Sequence, residues 1–286
     1  MTNNLIAHLS TVLACPIKNI TSLSGGDISQ AYCLQTATER FFCKTNTSSN
    51  AQNMFALERA GLQTIGATNT IHVPQIYGNG KIDTTAFLLL EYIETQQPNN
   101  RTSERLGNEI AQLHGVSADY FGWESNNFIG NFPQSNRKHT LWSNFYVKER
   151  LWPQLTHAQK NGLLTSSEIP SIHTMLQVCS PWLETVRPSL IHGDLWSGNY
   201  LISSNGIPYL IDPAVSFGDS RVDIAMTHLF GGFLPEFYKA YETHFSEKKW
   251  DQKYNDLYQL YYLLVHLNLF GRSYYPSVQK ILARFF

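Results

Sequence analysis

The spacing of apolar residues changes along the chain, and the changes mark its elements. Leu5, Leu9, Val12 and Leu13 recur at the three- and four-residue intervals of one helix face. Ile20–Leu23, then AYCLQT and RFFCKT, read as three short strands, with SGGD (Ser24–Asp27) as a turn after the first. Helical spacing returns from Asn50 to Ile65, carried by Met54, Leu57, Leu62 and Ile65. VPQIYG opens an extended piece at Val73, and AFLLLEYI (Ala86–Ile93) is a continuous apolar run of buried-strand type. After the first helix, residues up to 93 therefore predict strand-turn-strand-strand-helix-strand-strand, an α+β layout with an antiparallel sheet.

A polar stretch follows, ETQQPNNRTSE (Glu94–Glu104), with a proline, two asparagines and few apolar residues. It marks the expected division into a small N-terminal sheet lobe, residues 1–93, and a larger helical lobe, residues 94–286. Beyond it the period is mostly helical: Arg105–Val116, Leu141–Gln159, Ser167–Val178 and long segments from Asp223 onward. LIHGDLWSGNYLI (Leu190–Ile202) and IPYLID (Ile207–Asp212) form a small β island inside that helical half.

Composition narrows the classes. Charged residues make up 15% of the 286 and hydrophobic ones 43%, which suits a globular protein with a real core. Lys and Arg number 21 against 22 Asp and Glu, a formal net charge of -1, and no basic run exceeds Arg137-Lys138 or Lys248-Lys249. Nucleic acid is therefore not an expected partner. The four cysteines (Cys15, Cys33, Cys43, Cys179) lack metal-site spacing and read as reduced thiols of a cytoplasmic protein. LIAHLSTVLAC (Leu5–Cys15) faintly resembles a signal sequence, but no Lys or Arg precedes it and polar residues interrupt it. No segment approaches the roughly 20 apolar residues of a membrane span, so no membrane partner is expected.

The chemistry gathers around the β island. Asp194 and Asn199 stand five positions apart on a short polar loop, and Asp212 ends an apolar run just before Pro213. Two carboxylates and an amide at strand ends suit a hard cation such as Mg²⁺. A carboxylate not consumed by metal can accept a hydroxyl proton. The pattern matches phosphoryl transfer, with Asp194 as base and Asn199 and Asp212 as metal ligands. Taken alone, an Asp and an Asn at this spacing merely shape turns; H-G-D before them and YLID after them favour the catalytic reading.

That reading demands phosphate-handling groups upstream. Lys44, in RFFCKT, follows the glycine turn on a strand, and Glu58 on the next helix is placed to pair with it. Gly25 and Gly26 let backbone approach phosphate closely, although no G-x-G-x-x-G is present. Backbone groups of Glu91, Tyr92 and Ile93, at the end of the last strand, are candidates for the adenine edge. Asp223 either caps the helix it opens or bonds the catalytic loop from behind, the second being preferred. His192 is expected to orient the loop, and His114, in QLHG, to cap or pack. Trp196 offers a flat aromatic face suited to a sugar ring.

These residues carry a resemblance. HGDLWSGN with LIDPA resembles the fructosamine/ketosamine-3-kinase family, a branch of the protein-kinase-like and aminoglycoside-phosphotransferase-like fold. SGGDISQAY, FFCKTN, NNFIGNFPQSN followed by WSNFYVKERLWPQL, DIAMTHLFGGF and LYYLLVHLNLFG resemble it too, in order from about Leu5 to Leu282. The resemblance implies a bilobal fold with ATP and Mg²⁺ as cofactors. It also implies transfer of the γ-phosphoryl to the 3-hydroxyl of a ketoamine, a ribulosamine or fructosamine on a small amine or a glycated protein, which leads to deglycation. Asp194 would then be the base, Asn199 and Asp212 the metal ligands, Lys44 and Glu58 the phosphate-binding pair, and Trp196 part of the sugar site. Two departures stand out: Ser220 and Arg221 occupy the positions of the family's usual Arg-Glu pair, and the glycine loop reads GGDIS, without a cysteine, so no redox switch is expected. The rival readings are a kinase of the same fold acting on another alcohol and a non-catalytic nucleotide-binding protein.

Overall fold

The computed structural model describes residues 1–23, 29–183, 185–245 and 252–286. The chain divides into two compact units, Met1–Pro98 with Tyr200–Pro213, and Asn99–Asn199 with Ala214–Phe286. The division expected after Ile93 thus falls at Pro98, and residues 200–213 belong to the first unit rather than the second. The reason is backbone hydrogen bonding. Gln96 N–H donates to Ile202 O (2.9 Å), Ser204 N–H to Glu94 O (2.7 Å) and Leu210 N–H to His72 O (2.9 Å).

In the first unit α1 (Asn3–Val12) precedes β1 (Asn19–Leu23), β2 (Gln30–Gln35) and β3 (Arg40–Asn46), followed by α2 (Ala51–Ala67), β4 (Ile76–Ile82) and β5 (Thr85–Glu91). The sheet order is β1-β2-β3-β5-β4, antiparallel throughout. The two faces of β5 explain its unbroken apolar run. Phe87 and Leu89 pack with Leu5 and Leu9 of α1, while Ala86, Leu88 and Leu90 pack with Phe55 and Leu62 of α2. Val12, expected on the buried stripe of α1, is 39% exposed, at the last residue of the helix.

The second unit begins with α3 (Asn100–Gly115), started by a capping box in which Asn99 Oδ1 accepts from Thr102 N–H (3.1 Å) and Thr102 Oγ1 from Asn99 N–H (2.9 Å). β6 (Asn127–Ile129) and β7 (Phe132–Gln134) form a hairpin. α4 (Trp142–Phe145), a π-helical turn (Tyr146–Leu151) and α5 (Trp152–Lys160) continue one another, as the period from Leu141 to Gln159 predicts. α6 (Ile172–Leu183) and β8 (Ser189–Ile191) follow, then β9 (Tyr200–Ile202) and β10 (Pro208–Leu210) of the first unit. β11 (Ser216–Gly218), α7 (Arg221–Phe230), α8 (Pro235–Glu242), α9 (Gln252–Phe270) and α10 (Tyr275–Phe285) complete the chain. β8 pairs with β11 and β9 with β10, so the expected single β island is two ladders, one in each unit.

The core of the second unit surrounds Trp142, Phe145 and Tyr146, with α9 supplying Tyr258, Tyr261 and Tyr262 from its buried side. Each of these three tyrosines keeps a hydrogen-bond partner for its hydroxyl, as burial of a phenol requires. The four cysteines are free thiols, and burial pushes those of Cys43 and Cys179 up to about 12, leaving both inert. Among the described residues no helix is long and apolar enough to cross a membrane.

Candidate active site

The candidate residues fall into two sets, one in each unit. In the first unit the burial of β3 alternates, with Phe41, Cys43 and Thr45 inward, so Lys44 shares the other face with Phe42. Phe42 packs against the cluster that holds Phe55 and Leu62 of α2. Glu58 lies three residues after Phe55 and four before Leu62, on the same helix face, and is thereby aimed at the sheet. Its Oε1 accepts from Lys44 Nζ at 2.8 Å. Lys44 Nζ also forms an ion pair with Asp212 Oδ1.

Asp212 adopts a left-handed backbone conformation, φ 55°, where the chain leaves β10 ahead of Pro213. Proline disfavours the right-handed helical region for the residue before it, and Asp is one of the few side chains that tolerates the left-handed one. Asp212 Oδ1 is buried, and the partner it meets is the Lys44 ammonium. Glu91 Oε2 accepts from Gln75 N–H (3.0 Å), and the Arg40 guanidinium lies 4.8 Å from the centre of the Tyr92 ring. Ile93 is half-buried. Gly25 and Gly26 lie outside the described residues.

In the second unit the loop from His192 to Asn199 is anchored mainly through its backbone. His192 N–H and Gly193 N–H donate to Asp223 Oδ2 (2.7 Å) and Oδ1 (2.9 Å). Asp223, 0% exposed, sits in the first turn of α7, which starts at Arg221 rather than at Asp223. Tyr262 Oη donates to Gly193 O at 2.8 Å, and Ala214 N–H donates to His192 O at 2.9 Å. Gly193 has φ 84°, and a Cβ there would meet the Ala214 carbonyl oxygen at 2.2 Å, so only glycine fits. His192 Nδ1 accepts from Asp194 N–H at 3.2 Å. His192 thus orients the loop from within.

Asp194 is half-buried. Asn199 Nδ2 donates to its backbone oxygen (2.8 Å) and to Oδ2 (3.1 Å), closing the loop. Because Nδ2 is spent on Asp194, Oδ1 is the Asn199 atom left for a cation. Burial pushes the Asp194 carboxyl up to about 7, the Asn199 hydrogen bond opposes the rise, and the nearby Asp223 carboxylate adds to it. A carboxylate with that affinity for a proton suits a general base near neutral pH. Trp196 is 40% exposed, its ring lying against Gly198.

Several buried polar groups had no motif to announce them. His114 Nε2 lies 3.1 Å from Asp223 Oδ2 and its Nδ1 2.9 Å from Tyr241 Oη, both ring nitrogens engaged in a fully buried setting. Arg221 binds its own turn, its Nε donating to Asp219 Oδ2 (2.8 Å) while Tyr258 Oη donates to the same oxygen (2.6 Å). The available signal was tyrosine at 258, 261 and 262, the spacing of one helix face with a polar atom at each tip.

A five-stranded antiparallel sheet with a strand lysine held by a helix glutamate, joined to a helical unit with an H-G-D-x4-N loop, defines an ATP-dependent phosphotransferase of the protein-kinase-like fold. The comparisons narrow that class. Residues 1–286 match the family model described as fructosamine kinase. A protein of Lactiplantibacillus plantarum described as a probable ketoamine kinase is 37% identical over 271 residues, 94% of this chain and 95% of that one. The chloroplastic protein-ribulosamine 3-kinase of Arabidopsis thaliana is 36% identical over 274 residues, 94% of this chain and 83% of that one. A crystal structure from Haemophilus somnus 129PT, described as a candidate fructosamine-3-kinase, superposes with a TM-score of 0.88 at 26% identity, covering 99% of this chain and 96% of that one. The chain belongs to the fructosamine kinase family.

Proposed function

We propose that the protein transfers the γ-phosphoryl group of ATP to the 3-hydroxyl of a ketoamine, carried by a small amine or by a glycated protein. The observation that carries the reading is Asp194, half-buried, drawn up to about 7 and bonded by Asn199, on the same loop as Trp196 with its exposed indole. Asp194 accepts the proton of the 3-hydroxyl as its oxygen bonds to the γ-phosphorus, and the bond from that phosphorus to the bridging oxygen breaks to release ADP. Lys44 neutralises phosphate charge, with Glu58 fixing its direction. Trp196 stacks on the acceptor sugar, a use for an aromatic face that solvent otherwise covers.

Asp212 and Asn199 are the residues we assign to Mg²⁺. Both offer oxygen donors, the ligand type this ion takes, and the buried Asp212 Oδ1 already faces a cationic group, the Lys44 ammonium. When bound, Mg²⁺ would offset charge building on the phosphate oxygens. The backbone at Glu91, Tyr92 and Ile93 is our assignment for the adenine edge, and Gly25 and Gly26 for phosphate approach. We place the reaction in the cytoplasm, where four free thiols are at home.

Deglycation follows from the product's chemistry. Tautomerisation of a ketoamine to its 1,2-enaminol leaves the C3 phosphate allylic, so inorganic phosphate departs and hydrolysis frees the amine. The test is ADP release from Mg-ATP with ribulose-lysine, fructose-lysine and a panel of aminoglycosides, with Asp194→Asn as control. Turnover on a ketoamine, lost in the variant, supports the reading and ranks the sugars. Turnover on aminoglycosides alone would overturn the acceptor, and none on any alcohol with ATP still bound would point to nucleotide binding without transfer.

A further inference from the structure

We propose that His114 and Tyr241 are positioning residues for this transfer, acting through Asp223 on the backbone that carries Asp194. The inference rests on the phosphotransfer reading above. Packing alone explains why His114 and Tyr241 are buried; it does not explain why both imidazole nitrogens are bonded, one to a carboxylate and one to a phenol.

Asp223 accepts three hydrogen bonds. Gly193 N–H takes Oδ1, while Oδ2 is shared by His192 N–H and His114 Nε2. The two backbone bonds set the peptide planes that lead into Asp194. The bond from His114 comes from another direction and resists rotation of the carboxylate, so it fixes those planes indirectly. Tyr241, whose hydroxyl donates to Nδ1, selects the tautomer in which Nε2 carries the hydrogen. The two helices supplying these groups are pressed together. A Cβ at Gly107 of α3 would lie 2.3 Å from the Phe237 carbonyl oxygen of α8, and Gly107 and Phe237 precede His114 and Tyr241 by whole turns of their helices. A rigid base of this kind is what an oriented proton acceptor needs, since small misplacements of a reacting group cost rate steeply.

The experiment compares wild type, His114→Leu, His114→Gln and Tyr241→Phe. It reads kcat and both KM values with Mg-ATP and the ketoamine, and amide hydrogen exchange at His192 and Gly193 in the free protein. We expect His114→Leu to lower kcat about 10- to 100-fold, the usual cost of losing an orienting partner. Both KM values should stay within about twofold, the sign of an interaction that matters mainly in the transition state. Exchange at the two amides should quicken. His114→Gln, whose amide nitrogen also reaches a carboxylate, should recover most of the loss, and Tyr241→Phe should show a smaller loss in the same direction. Wild-type kcat in His114→Leu, KM values rising in step with the loss, or unchanged exchange would overturn the proposal. If His114→Leu does not fold, Tyr241→Phe decides alone, because it removes one hydroxyl and no packing. Should wild type fail to turn over any ketoamine, the exchange data still test the tether, and only the functional reading falls.

Discussion

Two regions hold the residues we assign to the reaction, and they are built on opposite principles. In the first unit three charged side chains meet: the Lys44 ammonium faces the Glu58 and Asp212 carboxylates, with side-chain exposures of 14%, 15% and 37%. In the second unit the loop from His192 to Asn199 is gripped mainly by its backbone, through Asp223, Tyr262 and Ala214. Long charged side chains near water can trade one partner for another, so an ammonium paired with two carboxylates can release one to a phosphate oxygen. Buried backbone bonds cannot be traded without leaving a polar group unsatisfied. On the function we propose, adaptability lies where nucleotide comes and goes, and rigidity where a proton is accepted in one geometry.

The comparison is broken most severely at its rigid end. Asp194→Asn should lower kcat by roughly 10³-fold, within the range that a positioned base contributes, with KM for ATP little changed and circular dichroism unaltered. Next comes the adaptable end. Lys44→Met should lower kcat/KM for ATP about 100-fold, the cost of removing one electrostatic contact to a transferring phosphoryl group. If that loss appeared wholly in kcat with KM for ATP unchanged, Lys44 would belong with the rigid groups and the distinction would fail.

How much of this could be read from the sequence follows the same divide. Lys44 and Glu58 were legible because a strand alternation and a helix period suffice to aim them at one another. That Asp194 and Asn199 share one loop was legible because its residues are consecutive, and the structure joins them by hydrogen bonds from Asn199 Nδ2. The antiparallel sheet was legible from runs such as AFLLLEYI, whose two buried faces leave no polar position before Glu91. The supports of the loop were not. His114 lies 78 residues before His192, Tyr241 lies 42 after Asn199 and Tyr262 lies 69 after Gly193, and tyrosines in an apolar helix look like core until their hydroxyls are followed. The assignment of 200–213 to the first unit was hidden for a related reason: nothing local in YLI or PYL says which neighbour their backbone bonds will find.

A smaller effect sharpens the acceptor side. Trp196 is exposed and its ring rests on Gly198, so Trp196→Ala should leave thermal stability nearly untouched. KM for the ketoamine should rise about 10-fold, the equivalent of roughly one stacking contact, while KM for ATP stays put. A fall in melting temperature without a change in acceptor KM would assign the indole to packing.

The last effect is one of stability, and it separates the rigid region's function from its cost. The Asp194 carboxyl moves from an ordinary 3.8 up to about 7 in the folded protein, chiefly through burial. The folded state therefore binds this proton more tightly than the unfolded chain does, and stability falls as pH rises between those two values. Below about 4 both states are protonated and the side chain costs nothing; above about 7 the folded protein carries an ionised carboxylate that burial and Asp223 disfavour. Asp194→Asn keeps the shape and the acceptor for Asn199 Nδ2 while removing the charge. It should match wild type near pH 4 and exceed it at pH 8 by on the order of 2 kcal/mol, below the full value of the shift because the carboxylate is still partly solvated. Thermal melts at several pH values check this through a gap that opens between pH 4 and pH 7. A gap that is constant, or that closes with pH, would mean that the loop does not strain its own base. The rate lost and the stability gained in one variant would then have separate origins.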